Sequence, residues 1–215
     1  MSPLPVEMRD RWADRAETPP GKGTVYWHIL MGGYPEVRST AERVQKQLGH
    51  FTGLHMTPLH WLHMTALVVG STDDITQAQM NELIEHASNT LSGVTPIEVS
   101  LGRILYHPEA IMLGIEPDGA LDPIFNAART STQTVLGWDG VTTSGQGNWI
   151  PHMTLCYSTA KQAAKPLIAT VGLNVPECHV TIRALTLVVQ WGPERDWNWH
   201  KVGAAPLEGI ETNTD

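Results

Sequence analysis

At 215 residues, with 41% hydrophobic and 17% charged side chains, the chain has a globular balance and enough material for a sizeable core, which excludes a disordered polymer. A formal net charge of −8 excludes a long nonspecific nucleic-acid track, because an acidic surface gains nothing from a polyanion, but it leaves room for a small anion held by local donors. Two cysteines, Cys156 and Cys178, suit a reduced cytoplasmic protein; with no apolar run of transmembrane length and no export-type N-terminus, a soluble protein without a membrane partner is expected.

In chain order, residues 1–23 mix prolines with alternating charges and read as a loosely packed leader with at most one short helix. Thr24 to Met31 is the first strand, with Val25, Trp27 and Ile29 on one face and Tyr26, His28 and Leu30 on the other. Pro35 opens a helix that Gly49 stops. A second strand carries His63, and a helix follows from about Ile75 to Leu91 behind the N-cap residues Ser71 to Asp74. A hairpin spans Ile97–Tyr106 and Ala110–Ile115, and a helix covers Leu121 to Leu136. A Gly-rich loop, Gly137 to Gly147, then delivers the chain to the strand carrying His152. Lys161 to Val171 reads as a helix, Glu177 to Trp191 as one long strand, and Trp197 to Val202 as its return. The element order nearly repeats, so the expected class is α+β: two pseudo-symmetric lobes, each an antiparallel sheet with outer helices, flanking a central groove. The organisation expected is a leader over 1–23, one bilobal domain over 24–202 and a tail over 203–215.

Two stretches stand out. His152-Met153-Thr154-Leu155 and His63-Met64-Thr65-Ala66 are the same phrase in corresponding places of the two half-chains. On a strand, His and Thr two apart share a face, and an imidazole beside a hydroxyl suits proton transfer next to an anion. Cys156 shares that face by parity.

The bare pattern recurs and needs filtering. His50 sits between glycines, His55-Met56-Thr57 is followed by Pro58, which breaks a central ladder, and His86 lies in a helical pattern. His179-Val180-Thr181 is the serious rival; otherwise it occupies a solvated strand face. A metal site is the other alternative, but His60 and His63 are an odd number apart and no paired-ligand motif is present.

The paired motifs, Gly70 closing the first strand and Pro151 ahead of the second histidine, resemble the 2H phosphoesterase superfamily, which includes 2′-5′ RNA ligase-like proteins and RNA 2′,3′-cyclic phosphodiesterases. The resemblance runs over about residues 24–202. It implies His63 and His152 as catalytic acid and base, Thr65 and Thr154 as phosphate-oxygen donors, and neither a metal nor a nucleotide cofactor. Tyr26 and His28 are possible substrate-lining residues, and Arg103, Arg183 and Arg195 are the candidates for completing the anion site. The implied activity is hydrolysis of a cyclic or 2′-5′ phosphodiester of a small nucleotide, a cyclic oligonucleotide or an RNA end. RNA-end ligase- or cyclase-type transfer on the same site, and a nucleotide-binding module without turnover, are the alternatives. Oligomeric state is not legible.

Overall fold

The computed structural model of the chain describes residues 4–140 and 149–209. Strand β1 (Glu7–Met8) lies in the leader, and β2 (Gly23–Leu30) is the first long strand. Alternation sets its faces as expected, with Val25, Trp27 and Ile29 at most 1% exposed. Helix α1 (Pro35–Leu48) starts on its proline, where a missing N–H is no loss, and buries Val37, Ala41, Val44 and Leu48. Strand β3 (Leu54–Met56) and a 3₁₀ turn at Leu59–Trp61 lead into β4 (His63–Ser71). Helix α2 (Gln77–Leu91) opens on a capping box in which Thr76 and Gln79 each accept the other's backbone N–H. The hairpin β5 (Ile97–His107) and β6 (Ala110–Glu116) follows, then α3 (Asp122–Leu136), ended by Gly137 in the left-handed region at φ 78. Strands β7 (His152–Ser158) and β8 (Gln162–Ala163), helix α4 (Ala164–Val171), and strands β9 (Asn174–Ile182), β10 (Ala184–Trp191) and β11 (Trp199–Pro206) complete the chain.

The fold is α+β, and every strand pairing is antiparallel. A four-stranded sheet of order β11-β10-β2-β4 is backed by α2 and α3; a five-stranded sheet of order β3-β7-β6-β5-β9 is backed by α1, with α4 packed on α1 and on β1. One buried apolar cluster runs through both sheets. Strand β4 of one sheet touches β7 of the other, so the two motif strands meet where the sheets face. No helix among the described residues is long and apolar enough to cross a membrane.

Five expectations are corrected. The long strand over Glu177 to Trp191 is two strands, broken at Arg183: β9 is the edge of the five-stranded sheet, whereas β10 lies inside the four-stranded one. The lobes are therefore not successive halves of the chain. The β10–β11 hairpin completes the sheet begun by β2 and β4, while α1, which follows β2, packs on β7 and β9. The leader is not loose. Met8 is fully buried, β1 pairs with β8, and the N–H groups of Arg9 and Arg11 donate to the carbonyls of Pro108 and Ser158 at 2.7 and 2.9 Å. That pairing also draws Gln162 and Ala163 into a strand, so the helix expected from Lys161 begins at Ala164. Finally, residues 203–206 of the expected tail belong to β11, with Ala205 fully buried. Residues 210–215, and most of the Gly-rich loop (141–148), lie outside the described residues.

Candidate active site

Each motif strand carries a β-bulge at the residue after its threonine. On β4, Thr65 pairs with His28 and Leu67 with Trp27, leaving Ala66 as the extra residue. On β7, Thr154 pairs with Met112 and Cys156 with Ile111, leaving Leu155 extra. A bulge shifts the parity of everything beyond it. Cys156, expected on the histidine face, is instead fully buried in the core, and Tyr157 takes its place beside Thr154. The bulge is held by neighbours: the Leu155 carbonyl accepts from Gln45 Nε2 at 2.9 Å and from the Thr57 N–H at 3.0 Å. On the other strand, the Thr65 carbonyl accepts from Trp149 Nε1 at 3.0 Å. Trp149, stacked on Phe125 at 5.0 Å, stands three residues before His152, so an anchor of the second motif is bonded to the first.

The two histidines are held alike. Nδ1 of His63 lies 2.7 Å from the Trp61 carbonyl, and Nδ1 of His152 lies 2.8 Å from the Ile150 carbonyl, in each case two residues back. A carbonyl only accepts, so Nδ1 carries a proton in both rings and the neutral imidazole keeps its lone pair on Nε2. Burial depresses the pKa of both; the backbone carbonyls oppose that shift. The charge of His152 lowers His63 further. Thr65 and Thr154 sit one alternation along the same strands, partly buried like the histidines.

Aromatic rings wall this site. His28 stacks on His63 with centroids 4.1 Å apart, is 3% exposed, and has Tyr26 on its other side at 5.2 Å; it backs the His63 ring from β2. Trp197 and Trp199 present their edges or faces to His63 at 6.2 and 6.0 Å, and Trp61 packs on Trp199 at 4.4 Å. Trp197 holds a left-handed backbone at φ 52, unfavourable for a bulky residue by about 1–2 kcal/mol. Its ring compensates by stacking between His55 and Tyr157. Arg11 of the leader lies over the Tyr157 ring, its guanidinium carbon 4.4 Å from the centroid, and pairs with Glu194 and Glu109.

Sequence reasoning missed Arg11, Tyr157, Glu194 and the tryptophans of the β10–β11 turn. Trp12 was an available signal, since a solvated leader has no use for a large aromatic, and it packs edge-on against Tyr157 at 5.5 Å. The three arginines named from sequence go elsewhere: Arg103 to Glu116 and Asp118, Arg195 to Glu17, and Arg183 to an open recess it shares with His179 and Tyr34. His179 itself is exposed on β9, separated from β7 by both β6 and β5, and faces Glu177 at 3.9 Å. His55, on the short edge strand β3, lines a separate cavity of about 550 Å³ with Trp12, Arg15 and Arg195. His50 lies in a loop and His86 in α2. Among the described residues, no group of three or more His, Cys, Asp or Glu side chains is gathered as a metal site.

A family model described as the 2′-5′ RNA ligase superfamily matches residues 34–194, well over half the chain. The chain belongs to that superfamily. Its fold is shared with several solved structures. A crystal structure of E. coli LigT complexed with 3′-AMP is 14% identical, with a TM-score of 0.64 over 89% of this chain and 99% of that one. A Thermus thermophilus protein is 17% identical, with a TM-score of 0.63 over 86% and 98%. A conserved Agrobacterium tumefaciens protein of unknown function is 13% identical, with a TM-score of 0.53 over 91% and 96%. No curated protein sequence matches. The match begins after β2 and ends at Glu194, so the leader, β2 and β11 lie outside the matched span.

The depressed histidines make stability depend on pH. His28, His63, His107 and His152 all protonate less readily folded than unfolded, with burial the leading cause in each. Below about pH 6.5 the unfolded chain therefore binds more protons than the native one, and stability falls as pH falls. The unfolding temperature at pH 5 is expected to lie below that at pH 7, and His28→Phe, which removes the most buried of the four, is expected to shrink the difference. An unchanged difference in the variant would show that His28 is not a source of the acid sensitivity.

Proposed function

We propose that this superfamily member is a metal-independent phosphodiesterase that hydrolyses a cyclic (2′,3′-type) or 2′-5′ phosphodiester of a small nucleotide or RNA end by two-histidine acid–base catalysis. The observation that carries the reading is the matched pair of His-x-Thr strands, each with its bulge after the threonine and each histidine tied at Nδ1 to a backbone carbonyl. Opening a cyclic phosphodiester needs a base for the incoming water and an acid for the departing ribose oxygen. Two imidazoles presenting Nε2 divide those roles, each contributing roughly 10²–10⁴-fold. Thr65 and Thr154 donate hydrogen bonds to the phosphoryl oxygens as charge builds on them. Tyr26 and the tryptophans flank the ring of a bound base. The E. coli LigT structures with 3′-AMP, ATP and NADP+ support a small nucleotide as ligand of this fold.

The test is hydrolysis of the four 2′,3′-cyclic nucleotides and of 2′-5′ oligoadenylate, with a 3′-5′ dinucleotide as control and with EDTA in a parallel series. Turnover of either of the first two classes at equal rates with and without chelator is expected. No turnover with tight binding of the same ligands would replace the hydrolase by a binding module. Loss of activity in EDTA that zinc or manganese restores would overturn the metal-independent mechanism.

A further inference from the structure

The leader lies ahead of the span that matches the superfamily, and it walls a cavity of its own. Two crossed ion pairs strap it over the turn Glu194–Asp196 between β10 and β11. Arg11 grips Glu194 through Nε at 3.1 Å and Nη2 at 2.9 Å, and Nη2 of Arg195 returns to Glu17 at 2.6 Å. Under the strap, the cavity of about 550 Å³ is in the ordinary range for a small-molecule site. Trp12 forms one wall, edge-on to His55 at 5.5 Å. The guanidinium carbon of Arg195 stands 6.0 Å from the Trp12 ring centroid, beyond direct stacking contact. A leader docked for stability alone would fill this space, because side chains that gain by burial pack without voids. Instead the space is ringed by Asp10, Arg15 and Glu17.

One residue joins this cavity to the histidine site. Trp197 Nε1 donates to His55 Nε2 at 3.3 Å, with the two ring planes within 3° of parallel, and the same Trp197 ring lies 6.2 Å from His63. A single tryptophan therefore separates His55 from His63, a span that one nucleotide unit covers. The charges decide which part of a nucleotide the cavity takes. Arg195 is paired with Glu17, and Arg15 with Glu109 at 2.5 Å, so neither cation is free for a phosphate. What remains is aromatic surface from Trp12 and His55, with donors on the guanidiniums and acceptors on Asp10 and Glu17. Asp10 uses Oδ1 to accept the Trp12 N–H at 2.9 Å, which leaves Oδ2. A nucleobase matches that lining, since it has a flat face to stack and an edge that both donates and accepts. We propose that the leader cavity is a second subsite that binds the penultimate base of an RNA 3′ end whose terminal cyclic phosphate lies between the two histidines. The substrate is then an oligoribonucleotide end rather than a free cyclic mononucleotide. The position of the phosphate rests on the two-histidine reading above; the base site rests on the leader.

The experiment is calorimetric titration of the full chain with 3′-AMP and with the ribodinucleotide 3′-phosphates ApAp, GpAp and UpAp, which share its terminal nucleotide. In parallel, kcat/KM is measured on 2′,3′-cyclic AMP and on the same dinucleotides ending in a 2′,3′-cyclic phosphate. The dinucleotides are expected to bind about tenfold tighter than 3′-AMP or more, as stacking one further base contributes. In Trp12→Ala, and in Ala13→Trp, which fills the cavity from an exposed position, the ratio of dinucleotide to mononucleotide affinity is expected to fall toward one. Lys46→Gln, which loses only an exposed contact to Glu42 on α1, keeps the wild-type ratio. Should Trp12→Ala fail to fold, Ala13→Trp decides alone, because it removes no packed side chain. Equal affinities in the wild type, or an advantage that survives Ala13→Trp, overturn the subsite; with turnover of both substrates present, the hydrolase still stands. Two equivalents of 3′-AMP per chain, one of them lost in Ala13→Trp, with no gain for the dinucleotides, make the cavity an independent nucleotide site and also overturn the proposal. A dinucleotide advantage that Ala13→Trp abolishes, without turnover of any substrate, overturns the hydrolase and leaves the subsite standing.

Discussion

His63→Ala and His152→Ala are each expected to lower kcat on a cyclic nucleotide by about 10²-fold or more, while the double variant loses far less than the product of the two. The reason is that acid and base act in one step, so removing either strands the other. Competent enzyme holds one proton across the pair, and rate against pH should be bell-shaped, with limbs that belong to the coupled pair rather than to either residue. Thr65→Ala and Thr154→Ala should cost less, through a lost hydrogen bond to the developing oxyanion. The measurement is kcat and KM from pH 4 to 9. A single sigmoidal limb, or near-wild-type turnover after either histidine is removed, would end the two-histidine mechanism.

The second large effect is expected at a residue that never touches substrate. Gly32 follows β2, and its N–H donates to the Leu62 carbonyl at 2.9 Å. A Cβ there would meet the His60 carbonyl carbon at 2.6 Å, and because the obstacle is backbone the whole Leu59–Trp61 turn must shift. That turn ends on the carbonyl that holds Nδ1 of His63. Gly32→Ala is thus expected to destabilise by about 1–3 kcal/mol, the range for overpacking. It should also lower kcat by roughly tenfold, because His63 loses its orienting acceptor while every catalytic group is still present. Gly33→Ala, where a Cβ meets nothing within 4 Å, is the matched control and should be silent in both readouts. Equal behaviour of the two variants in thermal unfolding and turnover would refute the argument.

Much was legible from one dimension because it depends on near neighbours. The faces of β2, the proline start of α1 and the end of α3 at Leu136 are local chemistry, and each is found where the sequence puts it, whereas α2 opens two residues beyond the expected Ile75, on a capping box at Thr76 and Gln79. The two motifs and the elimination of His50 and His86 rest on the same kind of reasoning. Parity failed at Cys156 and Tyr157 because a bulge depends on the partner strand's hydrogen bonds: Leu155 is extra only relative to Ile111 and Met112. Nothing within β7 announces it.

What the sequence by itself determined is the α+β class, the element order and the pairing of His63-Met64-Thr65 with His152-Met153-Thr154, since periodicity and repeated phrases are properties of short stretches. Only the tertiary structure decided that Arg183 divides one apparent strand between two sheets, that the leader's Met8 and Arg11 belong to the body, that Arg11 pairs with Glu194, and that Trp197 lies against the first histidine. Those arrangements join residues up to 183 positions apart, as Arg11 is from Glu194. A contact of that separation leaves no local pattern: it exists because burial and charge pairing are settled by what the folded chain brings alongside, not by what stands next in line.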